Sequence, residues 1–197
     1  MGKSQHEKQF IQLAGEFGVV SELFRRQVQA TLTYGNSKRA DVFVISDKGD
    51  RAAKVEVKSS VKERWIVGKQ ALNAAPHVVW VFVYLPKPPV TFSPAQLAEN
   101  GSSAPHYYVL TSEKVKALYE HKLAEARKLR AEKASAAQAQ EESELDEVLD
   151  AQGASSDIDA KEAPIDKKEL IIFEKGEVTH GYNEWSAVPK ALQFASK

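Results

Sequence analysis

Ala40–Ser60, ADVFVISDKGDRAAKVEVKSS, reads as two apolar strands joined by a polar turn. Val42 and Val44 alternate with Asp41, Phe43 and Ile45, and Val55 and Val57 alternate with Lys54, Glu56 and Lys58. A period of two is that of a β-strand. Apolar side chains fall on both faces, so the pair is expected inside a sheet flanked on both sides by helices. Three charged residues, Asp41, Glu56 and Lys58, stand where such a strand ordinarily keeps apolar groups.

The turn sets the register. With Lys48-Gly49 as a two-residue hairpin loop, Asp47 pairs with Asp50, and counting back places Asp41 opposite Glu56. Lys58, two residues on, shares their face. A slip of one residue sends Asp41 to the other face, so the juxtaposition depends on loop length.

Those residue types in that arrangement suit phosphodiester hydrolysis, which needs a nucleophile made from water and a counter-charge for the developing phosphorane. A Mg²⁺ ion held by one or two carboxylates supplies both, with Mn²⁺ as a substitute. Asp41 and Glu56 are the candidate metal ligands. Lys58 is the candidate for orienting the attacking water and stabilising negative charge.

Working outward, residues Ser4 to Val28 have the periodicity of a long amphipathic helix, with Phe10, Leu13, Ala14, Phe17, Val20, Leu23 and Phe24 as its apolar stripe. Gly15 and Gly18 weaken that helix by about 1 kcal/mol each relative to alanine, and allow close approach of a backbone or a substrate. Ala30–Tyr34 is β-prone, and Gly35-Asn36-Ser37 reads as a turn. Lys62 to Ala75 reads as a loop or strand entering a short helix that Pro76 ends. His77–Leu85 has the composition of a central buried strand, ended by Pro86, Pro88 and Pro89. Pro94–Ala98 is expected to make one helical turn. Tyr107–Leu110 reads as a strand, and Thr111 or Ser112 caps a helix beginning at Glu113. Leu170–Phe173 supplies a last strand and Val188–Phe194 a last helix.

The order and types of these elements resemble the PD-(D/E)xK nuclease superfamily. The carriers are Gly15-Glu16-Phe17 with Val19 and Glu22-Leu23 on the first helix, then Gly35-Asn36, Asp41, Glu56-Val57-Lys58 and Trp65. The likeness is to bacterial and phage-borne members and spans about Gly15 to Leu85. Ala40 stands where the superfamily pattern has proline. The resemblance implies a restriction-endonuclease-like α/β core, with a central mixed sheet of four or five strands flanked by helices. It also implies Mg²⁺-dependent cleavage of DNA, with RNA left open as a substrate, and makes Glu16 the helix carboxylate that assists the metal. Glu22 competes for that role.

Residues 1–134 are expected to form the core, 135–167 an acidic low-complexity insertion that is disordered or a fraying helix, and 168–197 a strand and helix packing back. The formal net charge of zero conceals a division, because residues 141–169 carry a net −8 and leave +8 on the rest. A basic body suits a polyanion. Lys54, Ser59, Gln70, Arg25, Arg26, Lys38 and Arg39 are secondary candidates for touching phosphate or metal-bound water, and a homodimer would serve cleavage of both strands.

The absence of cysteine removes disulfides, thiolate zinc sites and cysteine nucleophiles. His6, His77, His106, His121 and His180 lack metal-ligand spacing. No phosphate-binding glycine loop, dinucleotide fingerprint or serine nucleophile elbow occurs. The polar opening MGKSQHEKQF lacks the apolar centre of a secretory signal, and a cytoplasmic setting is expected. Two other readings fit the same residues. One is a nucleic-acid-binding module that keeps the fold without turnover. The other is a protein-interaction module that works through the acidic segment.

Overall fold

A computed structural model describes residues 4–33, 40–86, 104–149 and 169–195, with only the backbone helix described over 138–149. The expected turn at Gly35-Asn36, the cations Lys38 and Arg39, the prolines at 88 and 89, the helical turn at Pro94–Ala98 and residues 150–168 of the acidic region lie outside these.

Helix α1 (Gln5–Arg25) starts at a capping box. The Glu7 N–H donates to Ser4 Oγ (3.1 Å) and the Ser4 N–H donates to Glu7 Oε2 (2.9 Å), satisfying two backbone donors that have no partner within the helix. Gln27, in the left-handed region (φ 60°), turns the chain into β1 (Gln29–Leu32). There follow β2 (Val42–Ile45), β3 (Ala52–Ser60), β4 (Arg64–Val67), a 3-10 turn Lys69–Leu72, β5 (Val78–Tyr84) and β6 (His106–Thr111). The long helix α2 (Ser112–Leu149), β7 (Ile171–Glu174), a short α3 (Lys175–Val178) and α4 (Ala187–Phe194) complete the described chain.

Five strands make one mixed sheet in the order β1-β2-β3-β5-β6. Only the β3–β5 pair is parallel, which the crossover through β4 and the 3-10 turn permits. β5 is central and buried, as its run of valines and aromatics predicts. A second sheet of two strands pairs β4 with β7, joining segments more than a hundred residues apart.

Two cores lie on either side of the main sheet. On one face Val55, Val57, Val79, Val81 and Val83 pack under α1 (Val19, Leu23) and α4 (Val188, Ala191). On the other, Trp80, Phe82, Tyr108 and Leu110 pack under α2 (Val115, Tyr119, Leu123) and the ribbon side chains Trp65, Val67, Ile171 and Phe173. Both tryptophans at 65 and 80 are buried, and Trp65 Nε1–H donates to the Val83 carbonyl (3.0 Å). Ion pairs of Glu169 with Arg127 (2.6 Å) and of Glu177 with Lys122 (2.7 Å) hold the C-terminal segment against α2.

One expectation is corrected. The buried face of α1 keeps only Leu23, and Val20 in part, of the expected apolar stripe. Gly15, Glu16, Val19 and Leu23 face the sheet, while Phe10, Leu13, Phe17 and Phe24 are exposed. The glycines decide this. A Cβ on Gly15 would lie 1.7 Å from Ser59 Oγ, and one on Gly18 would lie 2.7 Å from the Tyr107 hydroxyl. The helix seats on its smallest side, where its backbone comes nearest the strands. Burying Val19 and Leu23 contributes about 1.5–3 kcal/mol each, which outweighs the roughly 1 kcal/mol each glycine costs. At the boundary expected at 135 the chain is helical, one of the two alternatives stated for that segment. Helix α2 runs through it to Leu149, because alanine, glutamate, glutamine and lysine favour helix even where no apolar stripe exists. Among the described residues no helix is long and apolar enough to cross a membrane.

Candidate active site

The site forms where β2 stops short of β3. Val42, the first residue of β2, pairs with Val55, but β3 continues to Ser60. On the side away from β5, residues 56–60 therefore present an edge with no strand beside it among the described residues. The turn that sets this register is longer than expected. Ser46 N–H donates to the Arg51 carbonyl (2.9 Å) and Gly49 N–H to the Ser46 carbonyl (2.8 Å), leaving residues 47–50 as a four-residue loop with Gly49 at φ 68°. Both loops are centred between Lys48 and Gly49, so the pairing of Val42 with Val55 is the one counted from the sequence, and continuing it by one residue sets Asp41 opposite Glu56.

Asp41 is held from two sides. Its Oδ2 accepts a hydrogen bond from the Val57 backbone N–H (2.7 Å), and its carbonyl accepts from the Thr33 N–H (3.1 Å) and hydroxyl (3.2 Å). Among the described residues Oδ1 makes no hydrogen bond. Glu56 and Lys58 project from β3 on the face of their parallel neighbours Trp80 and Phe82. The Lys58 ammonium lies 5.7 Å from the centre of the Trp80 ring.

Glu16 arrives from the opposite layer. It is 6 % exposed, on the turn of α1 that Gly15 lets approach Ser59, and its Oε1 accepts a hydrogen bond from Gln12 Nε2 (2.8 Å). Burial holds the Glu16 carboxyl above its ordinary range; the Gln12 bond opposes this, the Asp41 charge adds to it, and Lys58 opposes it. Glu56 is likewise raised, by burial and then by Asp41, against the pull of Lys58 and Lys54. Asp41 and Lys58 thus act on both glutamates. Four charged groups from α1, the approach to β2, and β3 share one neighbourhood.

Glu22 has a different place. Burial favours its neutral form, but hydrogen bonds from Arg26 and Arg25 prevail and hold its pKa below the ordinary value. Arg26 also lies over the Trp185 ring, 4.8 Å from its centre. Glu22, Arg25 and Arg26 therefore form a local cluster, and Glu16 is the α1 carboxylate beside Asp41. Ser59 turns its hydroxyl under α1, where Oγ is buried with no hydrogen-bond partner. Gln70 is exposed in the 3-10 turn. Lys54 shares the Glu56 face. Sequence reasoning missed Gln12 and Thr33. The spacing of Gln12 four residues before Glu16 was available as a signal; Thr33 carried none.

Among the described residues, no three histidine, aspartate or glutamate side chains gather closely enough to hold a metal by themselves. Mg²⁺ ordinarily takes only one or two protein carboxylates and fills its other positions with water and phosphate oxygens. Asp41 and Glu56, in register, mutually repulsive and partly desolvated, fit that pattern. Comparison with protein-family models, curated proteins and solved structures finds no match for this chain.

Proposed function

We propose that the chain is a metal-dependent nuclease of restriction-endonuclease-like fold that hydrolyses phosphodiester bonds in DNA. The observation that carries the reading is the register Asp41 opposite Glu56, with Lys58 on the same strand and face as Glu56 and Glu16 beside Asp41. Isolated Glu-x-Lys triplets are common on solvent-facing strands. An aspartate pinned next to one, with a buried glutamate at its back, is not what surface patterning produces.

Mg²⁺ on Asp41 and Glu56 would supply an activated water and a counter-charge for the phosphorane. The residues themselves do the rest. The Val57 N–H holds the Asp41 carboxylate and Thr33 holds the Asp41 backbone carbonyl, so little reorganisation is needed on binding. Lys58 carries the positive charge that orients the nucleophile and offsets the charge developing on phosphate. Glu16, kept in place by Gln12, adds negative charge behind Asp41 and strengthens the pull on a cation.

The test is incubation of the purified chain with supercoiled plasmid and linear DNA, with Mg²⁺, with Mn²⁺ and with EDTA. Nicking or cutting that needs the metal and is lost in Asp41→Asn and Lys58→Ala supports the reading. Metal-independent binding with no cleavage under any condition makes the chain a binding module on the same fold. A homodimer, by presenting two such sites, would cut both strands.

A further inference from the structure

Beyond Lys58 the face of β3 opens into a cleft of about 400 Å³, bounded on its far side by the β4–β7 ribbon. The geometry points to this cleft as the seat of one unpaired nucleotide next to the scissile phosphate, which makes the preferred substrate a DNA strand with unpaired bases, such as a single strand, flap or frayed end. This rests on the nuclease reading above and names the substrate class of the same site.

Two kinds of side chain meet there. Lys58, Lys62 and Arg64 line one part, and among the described residues none of the three has an ion-pair partner. The neighbouring Glu63 is committed to Lys175 (2.5 Å), and Glu174, the cross-strand partner of Arg64, makes no ion pair with it among the described residues. Unpaired cations along a cleft call for an anion, and phosphate is what lysine and arginine hold best. The β4–β7 ribbon, which carries Arg64 on the same outer face, adds an apolar wall. Ile66 and Ile172 are cross-strand partners on the outer face of the ribbon, 61 % and 43 % exposed.

A phosphate alone has no use for that wall. A nucleotide does, because its base has an apolar face. In a paired, stacked duplex those faces are covered by neighbouring bases, so only an unpaired base lies against the isoleucines. The cleft volume sits near the lower end of the roughly 300–1,000 Å³ typical of small-molecule sites, room for about one nucleotide and not for a duplex. Exposed isoleucines taken singly need no explanation. Their position in one cleft with three cations that have no ion-pair partner among the described residues, one of them Lys58 itself, gives them one.

The test measures binding apart from cleavage. In EDTA, the full chain is titrated by fluorescence anisotropy against a labelled oligothymidylate and against a blunt hairpin duplex of equal length. The single strand is expected to bind at least ~10-fold more tightly. Lys62→Ala and Arg64→Ala should each weaken single-strand binding and together lower its salt slope by about 1.4, while Lys128→Ala, exposed on α2, leaves it unchanged. Ile66→Ser should weaken single-strand binding and leave duplex binding alone. Equal affinity for the two DNAs, or a slope unmoved by the double variant, overturns the inference even if Mg²⁺-dependent cutting is found. Absence of cutting on any DNA, with tight single-strand binding intact, instead overturns the nuclease reading and leaves the cleft as a strand-binding site.

Discussion

The Asp41 carboxylate takes the Val57 backbone N–H at 2.7 Å, standing in for the strand that β2 no longer provides at that level. One residue is therefore both a structural acceptor and the candidate metal ligand, and substitution can separate the two. Asp41→Asn keeps an acceptor and should unfold in urea close to the native midpoint. Asp41→Ala leaves a half-buried N–H unpaired and should cost about 1–3 kcal/mol. Both should lose Mg²⁺-dependent cleavage by at least ~10²-fold. Cleavage surviving in Asp41→Asn would remove Asp41 from the mechanism.

Lys58→Ala should lower the cleavage rate by about 10²–10⁴-fold, the range for loss of a positioned acid–base or charge-stabilising group. Its effect on stability should be small: the ammonium gives up its contact with Trp80, about 0.5–1 kcal/mol, and its attraction to the Glu16 and Glu56 carboxylates. Plasmid nicking and a denaturant curve on the same preparation decide between a chemical and a structural role.

Glu16 and Glu56 are both raised above the ordinary value of 4.5, burial being the larger cause in each. The folded chain thus binds these protons more tightly than the unfolded one. Their contribution to stability is complete below pH 4.5 and is lost as pH rises through the raised values. At pH 7 in chelator, Glu56→Gln and Glu16→Gln should melt at higher temperature than the native chain, with the difference closing toward pH 4.5. Added Mg²⁺ should raise the melting temperature of the native chain and not that of Glu56→Gln. Gln variants that melt lower at pH 7 would count against this electrostatic picture.

Gly15→Ala gains about 1 kcal/mol of helix propensity but puts a methyl group 1.7 Å from Ser59 Oγ and 2.8 Å from its Cβ. Overpacking of this kind costs about 1–3 kcal/mol. The single variant should be destabilised, and Ser59→Gly in the same chain should restore it. A double-mutant cycle with no coupling between the two positions would show that α1 is not seated there.

The two sides of α1 should respond oppositely to truncation. Leu23, fully buried, should cost about 2–5 kcal/mol as alanine. Phe17, at 52 % exposed, should change stability by no more than about 0.5 kcal/mol despite its greater size. Chemical denaturation of the two variants measures this directly.

Much of this arrangement is legible in the residues. The alternation of Val42, Val44, Val55 and Val57, with an even-numbered loop between the strands, carries the register, and the His77–Leu85 run carries the central strand. The loop proved four residues long instead of two, yet it keeps the same centre, between Lys48 and Gly49, and with it the pairing of Asp41 with Glu56. The face of α1 was misjudged because apolar side chains announce themselves in a sequence, whereas a glycine matters only through what comes near it. Ser59 and Tyr107 are those neighbours, and they are 44 and 89 residues from Gly15 and Gly18. The cleft was hidden for a similar reason. Its apolar wall exists only because β4 and β7 pair across the whole length of α2, and no local pattern around Ile66 or Ile172 states that.

Glu16 belongs to a helix on one face of the sheet, and Glu56 and Lys58 point toward the other. They meet only around the bare edge of β3. If the proposed nuclease reading holds, the site is a coincidence detector for the docking of α1, and cleavage would need both layers assembled. Loosening the helix by denaturant, by trimming its capping box, or by a binder gripping Phe10 and Phe17 would then silence the site while the sheet persists. Cleavage should accordingly fade at a lower urea concentration than the fluorescence of the buried tryptophans, making catalysis the more sensitive gauge of the first helix.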